Sequence, residues 1–265
     1  MCTMSWILAD DGYTVFFNRD EAKTRSLAEW PKIQQRNGMR LIAPRDPDGG
    51  GTWMGANENG VTCCLLNNYG PKSPIANGKP ISRGLLVSAM LELDSQQAML
   101  NALDKLPLGE FRPFWLTIFE PKKNVVLAGW DGRQLRMTDR NIPFPITSSS
   151  VQSHEVEQHR RAALPDHIDE QTLLYYHSSH FQGNLSKSVC THRAFSETVS
   201  LSRVRISAHK IEYFYIPGAP CRTSESATIT LHRKQQSTDS RTQDILSRLM
   251  KMNLSSSAFR RFPNR

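Results

Sequence analysis

The chain has 265 residues and a formal net charge of +8, from 33 Lys and Arg residues against 25 Asp and Glu residues. Hydrophobic residues make up 38% of it, enough for one large or two small globular domains. No apolar run approaches the ~20 residues that cross a bilayer, which excludes a transmembrane helix. The chain has an odd number of cysteines, which favours a reduced protein. Asp10 and Asp11 lie where a secretory signal would be apolar, which favours a cytoplasmic one.

The first residues predict a β-hairpin whose open end lies beside Cys2. Met4 to Leu8 is rich in apolar residues, Asp10 to Gly12 has turn chemistry, and Tyr13 to Phe17 is β-branched and aromatic. The turn brings the polar segment Asn18 to Glu21 back to the start of the chain. We therefore expect these polar side chains to lie near the Cys2 thiol.

Cys2 becomes the amino terminus if the initiator methionine is removed, which is common when the second residue is small. Its α-amino group, with an ordinary pKa of about 8, would then accept a proton from the thiol of the same residue. Arg19 and Glu21 have two interpretations. They either lower the thiol pKa and orient the amine, or form a surface ion pair at a strand end.

The next part of the chain predicts a loop, a second hairpin and two helices. Prolines and a glycine run make residues 30–51 loop-like, and the Asn59-Gly60 turn joins strands at 53–56 and 61–67. Cys63 and Cys64, neighbours in a strand, should point to opposite faces and fill the core. Apolar periodicity predicts helices over residues 81–93 and 95–106, the second capped by Ser95.

The remaining pattern predicts strands on either side of two further helices. Strands are expected at 114–119, 124–130, 135–137, 187–192, 198–206 and 210–216. Helices are expected from His154 to Leu164, with Glu155 to Arg160 on the polar side, and over 169–180. Helices grouped between antiparallel strands indicate a layered α+β protein with two packed sheets.

A domain of residues 1–220 is expected to end at Pro217 to Pro220, before a basic extension of residues 221–265. An amphipathic helix is predicted over 241–252. The positive charge allows weak peripheral contact with a membrane, whereas the absence of a nucleic-acid motif disfavours DNA or RNA. The histidines do not predict a metal site, because His154 and His159 lie on nearly opposite sides of a helix and the cysteines lack metal-ligand spacing. His177 and His180 share a face, where solvated or capping roles are commoner.

Four motifs in the first seventy residues resemble the Transport and Golgi organisation protein 2 family, also called the NRDE family. They are Met1-Cys2, Asn18 to Glu21, the segment Gly50 to Gly55, and Asn67-Asn68-Tyr69. The resemblance covers about residues 1 to 220. The hairpin and the asparagine segment are also similar to cysteine N-terminal nucleophile hydrolases such as the bile salt and penicillin V amidases.

These resemblances imply a four-layer αββα sandwich of the N-terminal nucleophile hydrolase type. They imply Cys2 as nucleophile and Asn68 as an oxyanion donor, with Arg19 and Glu21 positioning the amine and substrate. The chain departs from the amidases at Asn18, which occupies their arginine position, so that the arginine is displaced to Arg19.

Two functions follow as hypotheses from these residues and resemblances. One is hydrolysis of a non-peptide amide or an acyl bond by Cys2, which needs no cofactor. The alternative is a carrier of a small molecule without catalysis, since fold and function separate. The family resemblance implies haem trafficking or binding of acyl-CoA or lipid for that carrier, with haem as a possible ligand.

Overall fold

A computed structural model gives the architecture and describes residues 2–70, 80–181 and 183–234. In the described residues the strands are β1 (Cys2–Ala9), β2 (Gly12–Ala22), β3 (Glu29–Arg36), β4 (Met39–Arg45), β5 (Met54–Asn57), β6 (Thr62–Asn67), β7 (Phe114–Phe119), β8 (Val126–Trp130), β9 (Leu135–Thr138), β10 (Ile146–Ser148), β11 (Ser196–Ile206), β12 (Lys210–Ile216) and β13 (Ala227–His232). The helices are α1 (Arg83–Met90), α2 (Gln96–Lys105), α3 (Ser153–Ala162) and α4 (Glu170–Ser178), and Leu108–Glu110 is a short 3-10 turn.

The first sheet is built around the predicted N-terminal hairpin. Its strand order is β10-β1-β2-β11-β12-β13, and all its pairs are antiparallel. Cys2 pairs with Arg19 on one side and with Ser148 on the other. The strand β13 lies beyond residue 220, where the first domain was expected to end, and it completes this sheet by pairing with β12.

The second sheet has the order β3-β4-β5-β6-β7-β8-β9. The loop predicted over residues 30–51 was wrong for most of its length, because β3 and β4 form the edge of this sheet. Pro31 lies at a register shift between Glu29 and Lys32, on an edge strand where a missing backbone donor is tolerated. Leu41 and Ile42 are buried in β4 and supply the apolar surface that holds the pair in place.

Three apolar layers separate four layers of secondary structure. One lies between the two sheets and includes Phe17 and Cys64. A second lies between the β4–β8 surface and α1 and α2, and includes Cys63. A third, around Phe16 and Leu173, packs α4 against the first sheet. The predicted αββα sandwich is confirmed, and so are the opposite directions of Cys63 and Cys64.

The helices follow the predicted pattern except for the position of one arginine in α3. Ser95 accepts a hydrogen bond from the Ala98 N–H and caps α2 as expected. In α3, Arg160 is fully buried rather than on the polar side, because it compensates a buried carboxylate. The strand predicted over 187–192 was wrong; the segment is an irregular loop with a single isolated bridge, from His192 to Glu197.

The predicted helix over 241–252 lies outside the described residues. Within the described part of the chain, no helix has the length and apolar character needed to cross a bilayer.

Candidate functional site

A cleft of about 450 Å³ opens where the ends of the two sheets meet the start of α1. The first strands contribute one wall, the 46–53 segment and the end of β6 contribute another, and the segment entering α1 closes the third side. Its lining residues are Cys2, Arg19, Asp20, Glu21, Arg25, Asp46, Gly49, Thr52, Trp53, Leu65, Asn67, Tyr69, Pro80, Ile81, Ser82, Arg83, Gly84 and Arg112. The cleft therefore contains a thiol, several carboxylates and four arginines.

Cys2 lies at the first position of β1 and is 8% exposed. Burial raises the pKa of its thiol, and the nearby carboxylates of Asp20 and Glu21 raise it further. The Asp20 backbone opposes this effect with a hydrogen bond that favours the thiolate. The thiol is consequently protonated at neutral pH, so its use as a nucleophile requires a group that accepts its proton.

Arg19 and Glu21 lie on the same face of β2, because strand side chains alternate. The Arg19 guanidinium is 3.6 Å from Glu21 Oε2 and 3.4 Å from Asp46 Oδ2, and it lies 4.5 Å from the centre of the Trp53 ring. Arg25 binds the same Asp46 carboxylate at 2.5 Å. The ion pair exists, but the arginine is buried and fixed beside Cys2 rather than mobile on a surface.

Asn18 points away from the cleft, since it precedes Arg19 by one position in the same strand. Its amide nitrogen donates to the carbonyl oxygens of His177 at 2.7 Å and Val189 at 3.1 Å. These contacts join β2 to the end of α4 and to the segment that follows it. The structure therefore does not bring Asn18 together with Cys2, although the sequence placed both among the candidate site residues.

The two adjacent asparagines after β6 also occupy different places. Asn68 does not line the cleft; its Oδ1 accepts a hydrogen bond from the Gly70 N–H at 3.3 Å and its own N–H donates to the Pro113 carbonyl. Asn67 does line the cleft, where its amide donates to the Tyr69 hydroxyl at 2.8 Å. Alternation allows only one of these neighbours to face Cys2, but nothing in the sequence indicates which one.

Behind Cys2 lies a buried ion pair that sequence reasoning missed. Arg160 and Asp20 have fully buried side chains, and Nη2 of the arginine is 3.2 Å from Oδ2 of the aspartate. Nη1 donates to the Cys2 carbonyl and to the hydroxyls of Thr3 and Thr147. The arginine thus fixes the backbone of the residue that carries the thiol.

Further hydroxyls complete the surroundings of this pair. Thr198 donates to Asp20 Oδ1 at 2.6 Å, and the Thr191 hydroxyl accepts from Arg160 Nη2 at 2.6 Å. In the sequence Arg160 is one of several basic residues on a polar helix, and no local pattern distinguishes it from its neighbours.

Arg83, at the start of α1, and Arg112, shortly before β7, add two cations to the lining of the cleft. Arg83, the first residue of this helix, donates to the Pro113 carbonyl at 2.9 Å, and burial lowers the pKa of its guanidinium. Among the residues that the structure describes, no carboxylate lies within ion-pair distance of Arg83 or of the exposed Arg112. A helix N-terminus also favours negative charge. This part of the cleft suits an anionic group of a ligand.

Comparisons with known proteins identify a family and several similar structures. The sequence profile described as Transport and Golgi organisation 2 matches residues 1–207. No curated protein matches the chain. The penicillin V acylase of Agrobacterium tumefaciens is 13% identical with a TM-score of 0.49, covering 82% of this chain and 83% of that chain. A variant of the conjugated bile acid hydrolase of Clostridium perfringens is 13% identical with a TM-score of 0.48, covering 91% and 99% respectively. The Caenorhabditis elegans ortholog of N-acylethanolamine-hydrolyzing acid amidase is 11% identical with a TM-score of 0.42, covering 77% and 92%.

Proposed function

The chain belongs to the Transport and Golgi organisation 2 family, and we propose that its cleft hydrolyses an amide or related acyl bond with Cys2 as the nucleophile. The observation that carries the proposal is the position of the Cys2 thiol in a polar cleft, with Arg19 and Glu21 beside it and Arg160 holding its carbonyl. A thiol with only a packing role has no need of such charged neighbours, whose burial is costly.

The reaction begins with removal of Met1, which places a free amine on Cys2. This amine, directly or through a water molecule, takes the thiol proton, and the sulfur attacks the acyl carbonyl carbon. The proton then passes to the leaving amine as the carbon–nitrogen bond breaks, leaving a thioester. Water, deprotonated by the same amine, attacks the thioester and releases the carboxylic acid and the thiol. Arg19 and Glu21 orient the amine and exclude alternative arrangements of the substrate.

Asn67, rather than Asn68, is the oxyanion donor in this proposal. It faces the cleft that contains Cys2, and its amide already donates to a hydroxyl oxygen there. One such donor contributes about 3 kcal/mol of transition-state stabilisation, or roughly 10²–10³ in kcat. Asn68 is a matched control because it is the same residue type at the next position.

The substrate class follows from the arginines. Arg83 and Arg112 have no carboxylate partner among the described residues, and both line the cleft together with Cys2. A substrate with a carboxylate or phosphate near its scissile bond would neutralise them. We therefore expect N-acyl amino acids to react faster than the corresponding uncharged N-acyl amines.

The test combines intact-protein mass spectrometry with turnover of such a substrate panel. Mass spectrometry should show a chain without Met1 and, with a slowly hydrolysed ester, one acyl group that disappears in Cys2→Ala. Asn67→Ala should lose roughly 10²–10³ in kcat, and Asn68→Ala should lose little. Unchanged turnover in Cys2→Ala, or equal losses in the two asparagine variants, would overturn the proposal.

A second candidate function is that of a carrier for an anionic small molecule. It is favoured by the protonated state of the Cys2 thiol together with the four arginines of the cleft. Haem carries carboxylates and acyl-CoA carries phosphates, so both meet the charge requirement. A Soret shift that saturates at one haem per chain and weakens in Arg83→Ala supports haem carriage, and its absence removes that ligand. Calorimetric titration with an acyl-CoA tests the other.

A further inference from the structure

A second cluster of reactive side chains lies apart from the cleft, beyond the end of α4. It consists of His180, Cys190, His192 and Cys221, whose nitrogen and sulfur atoms all lie within 4.8 Å of one another. None of the four lines the cleft. We propose that these two thiols and two imidazoles form a structural zinc site.

The distances agree with those of a tetrahedral zinc centre. Zinc–sulfur bonds of about 2.3 Å and zinc–nitrogen bonds of about 2.0 Å at tetrahedral angles separate sulfur from nitrogen by about 3.5 Å. The His192 Nε2 atom is 3.7 Å from Cys190 Sγ and 3.2 Å from Cys221 Sγ. The rings of His180 and His192 have centres 5.1 Å apart and are inclined by 69°. Small side-chain rotations are therefore enough to place all four ligands around one ion.

The surroundings of His192 also suit a metal ligand. Its Nε2 atom faces the two sulfurs, while its Nδ1 atom is 3.6 Å from Glu197 Oε2. A carboxylate on the second nitrogen is the common outer contact of a zinc-bound histidine, because it fixes the tautomer and the ring orientation. Arg222, next to Cys221, binds the same carboxylate at 2.7 Å. The outer contacts thus join two of the ligand-bearing segments.

Backbone hydrogen bonds hold the ligand-bearing residues in place. The Cys190 N–H donates to the Ser179 carbonyl, and the His192 N–H donates to the Leu185 carbonyl, both at 3.1 Å. The Arg222 N–H donates to the Ala219 carbonyl, also at 3.1 Å, and closes the turn that presents Cys221. These hydrogen bonds fix the backbone of the ligand-bearing segments and leave the side chains that would bind the metal free to do so.

The donor set selects the metal. Two thiolates and two imidazoles match the Cys₂His₂ set of structural zinc sites, whereas calcium and magnesium require oxygen ligands. A disulfide between Cys190 and Cys221 is the main alternative, since the two sulfurs are close. It leaves unexplained why two histidines converge on the same sulfurs and why a carboxylate orients one of them.

Zinc at this position would stabilise the region behind Cys2. Thr191 lies between two of the ligands, and its hydroxyl contacts Arg160, which in turn binds the Cys2 carbonyl. The segment from 179 to 195 lacks helix and strand over its described residues. Metal coordination would give this segment the rigidity that regular structure gives to the strands around Cys2.

The experiment uses the full chain, purified under reducing conditions and freed of metal with a chelator. Added zinc should bind at one ion per chain by elemental mass spectrometry and should raise Tm. Cobalt(II) should give intense visible d–d bands of tetrahedral geometry and a thiolate-to-metal charge-transfer band. Cys221→Ser, which changes an exposed residue, and His192→Ala should each weaken zinc binding at least tenfold. The controls Cys2→Ser and His154→Ala should bind zinc as the wild type does.

Several outcomes would overturn the site. Zinc below one-tenth of an ion per chain, or a cobalt spectrum without thiolate charge transfer, would show that the cluster does not bind metal. Alkylation and mass spectrometry that find Cys190 joined to Cys221 in freshly lysed, anaerobic cells would assign a disulfide instead. Circular dichroism of each variant separates loss of a ligand from loss of the fold. None of these outcomes depends on whether Cys2 is catalytic.

Discussion

Asp20→Asn removes a negative charge beside Arg160 while keeping the shape of the side chain. The two charged groups are fully buried and their closest atoms are 3.2 Å apart. At an effective dielectric constant of about 20, this separation corresponds to an attraction of about 5 kcal/mol. Removing one partner leaves the arginine charge uncompensated inside the protein, where the usual cost is about 3–5 kcal/mol. We expect a loss of this size in the free energy of unfolding.

Urea denaturation followed by tryptophan fluorescence measures the change, and thermal denaturation gives an independent value. For a chain of this size, each kcal/mol lowers Tm by about 2–4 °C, so the expected decrease is about 6–20 °C. Glu157→Gln is the control. It breaks an exposed pair with Arg161, at 3.0 Å on the same helix, and should cost at most about 0.5 kcal/mol.

The double variant Asp20→Asn with Arg160→Met distinguishes the ion pair from general disruption. Because it removes both charges, it should be more stable than the sum of the two single losses predicts, by about 3 kcal/mol. If the single variant loses less than about 1 kcal/mol, or if the two losses simply add, then the pair does not stabilise the region behind Cys2 and the reasoning fails.

Three other variants test separate contacts. His177 has a pKa lowered to about 3 by burial and by the Arg160 charge, so its stabilising contribution is complete above pH ~6.5 and is lost as pH falls towards 3. His177→Gln should therefore flatten the dependence of unfolding free energy on pH between about 6.5 and 4.5, by roughly 2–3 kcal/mol; an unchanged slope contradicts this. Gly51→Ala would place a Cβ atom 2.1 Å from the backbone of Gly84, so it should displace the start of α1 and weaken ligand binding at least tenfold, which calorimetry can measure. Asn57→Ala leaves the Leu91 carbonyl and other buried groups without partners and should cost about 3 kcal/mol in urea denaturation; a cost below 1 kcal/mol would show that water replaces the amide.

The sequence predicted those elements whose local pattern and tertiary packing agree. The N-terminal hairpin has a turn signal between two apolar strands, and the apolar stripe of α1 faces its sheet. The prediction for the segment that forms β3 and β4 was wrong because its prolines and glycines suggested a loop. Packing of Leu41 and Ile42 against neighbouring layers outweighed that local signal.

The predicted hairpin placed the whole segment Asn18 to Glu21 beside Cys2. Arg19 and Glu21 do line the cleft with Cys2, whereas Asn18 points away because strand side chains alternate. For the asparagines after β6 the choice came from a resemblance, and the residue that lines the cleft is Asn67. The role of Arg160 could not be predicted, because it depends on how α3 docks against the first sheet. A single sequence does not specify that docking.

The proposed metal ligands show the same limit of prediction from sequence, because they lie far apart along the chain. Cys190 and His192 are close in sequence, but Cys221 reaches them only after two further strands have crossed the sheet. Such a set has no regular spacing, so a search for known ligand patterns does not find it.

The order of strands in the first sheet has a consequence for synthesis. The hairpin that carries Cys2 emerges from the ribosome first, yet its neighbours β10 and β11 are among the later strands to be made. At about 5–20 residues per second, the hairpin waits on the order of ten seconds or more for its partners. During that interval the two backbone edges of the hairpin lack their partner strands, whereas the face that carries Phe17 packs against the second sheet, whose strands are all made before β10. A product truncated before Ser196 would therefore contain every residue that lines the cleft, but the β2 edge of the hairpin would lack its partner β11.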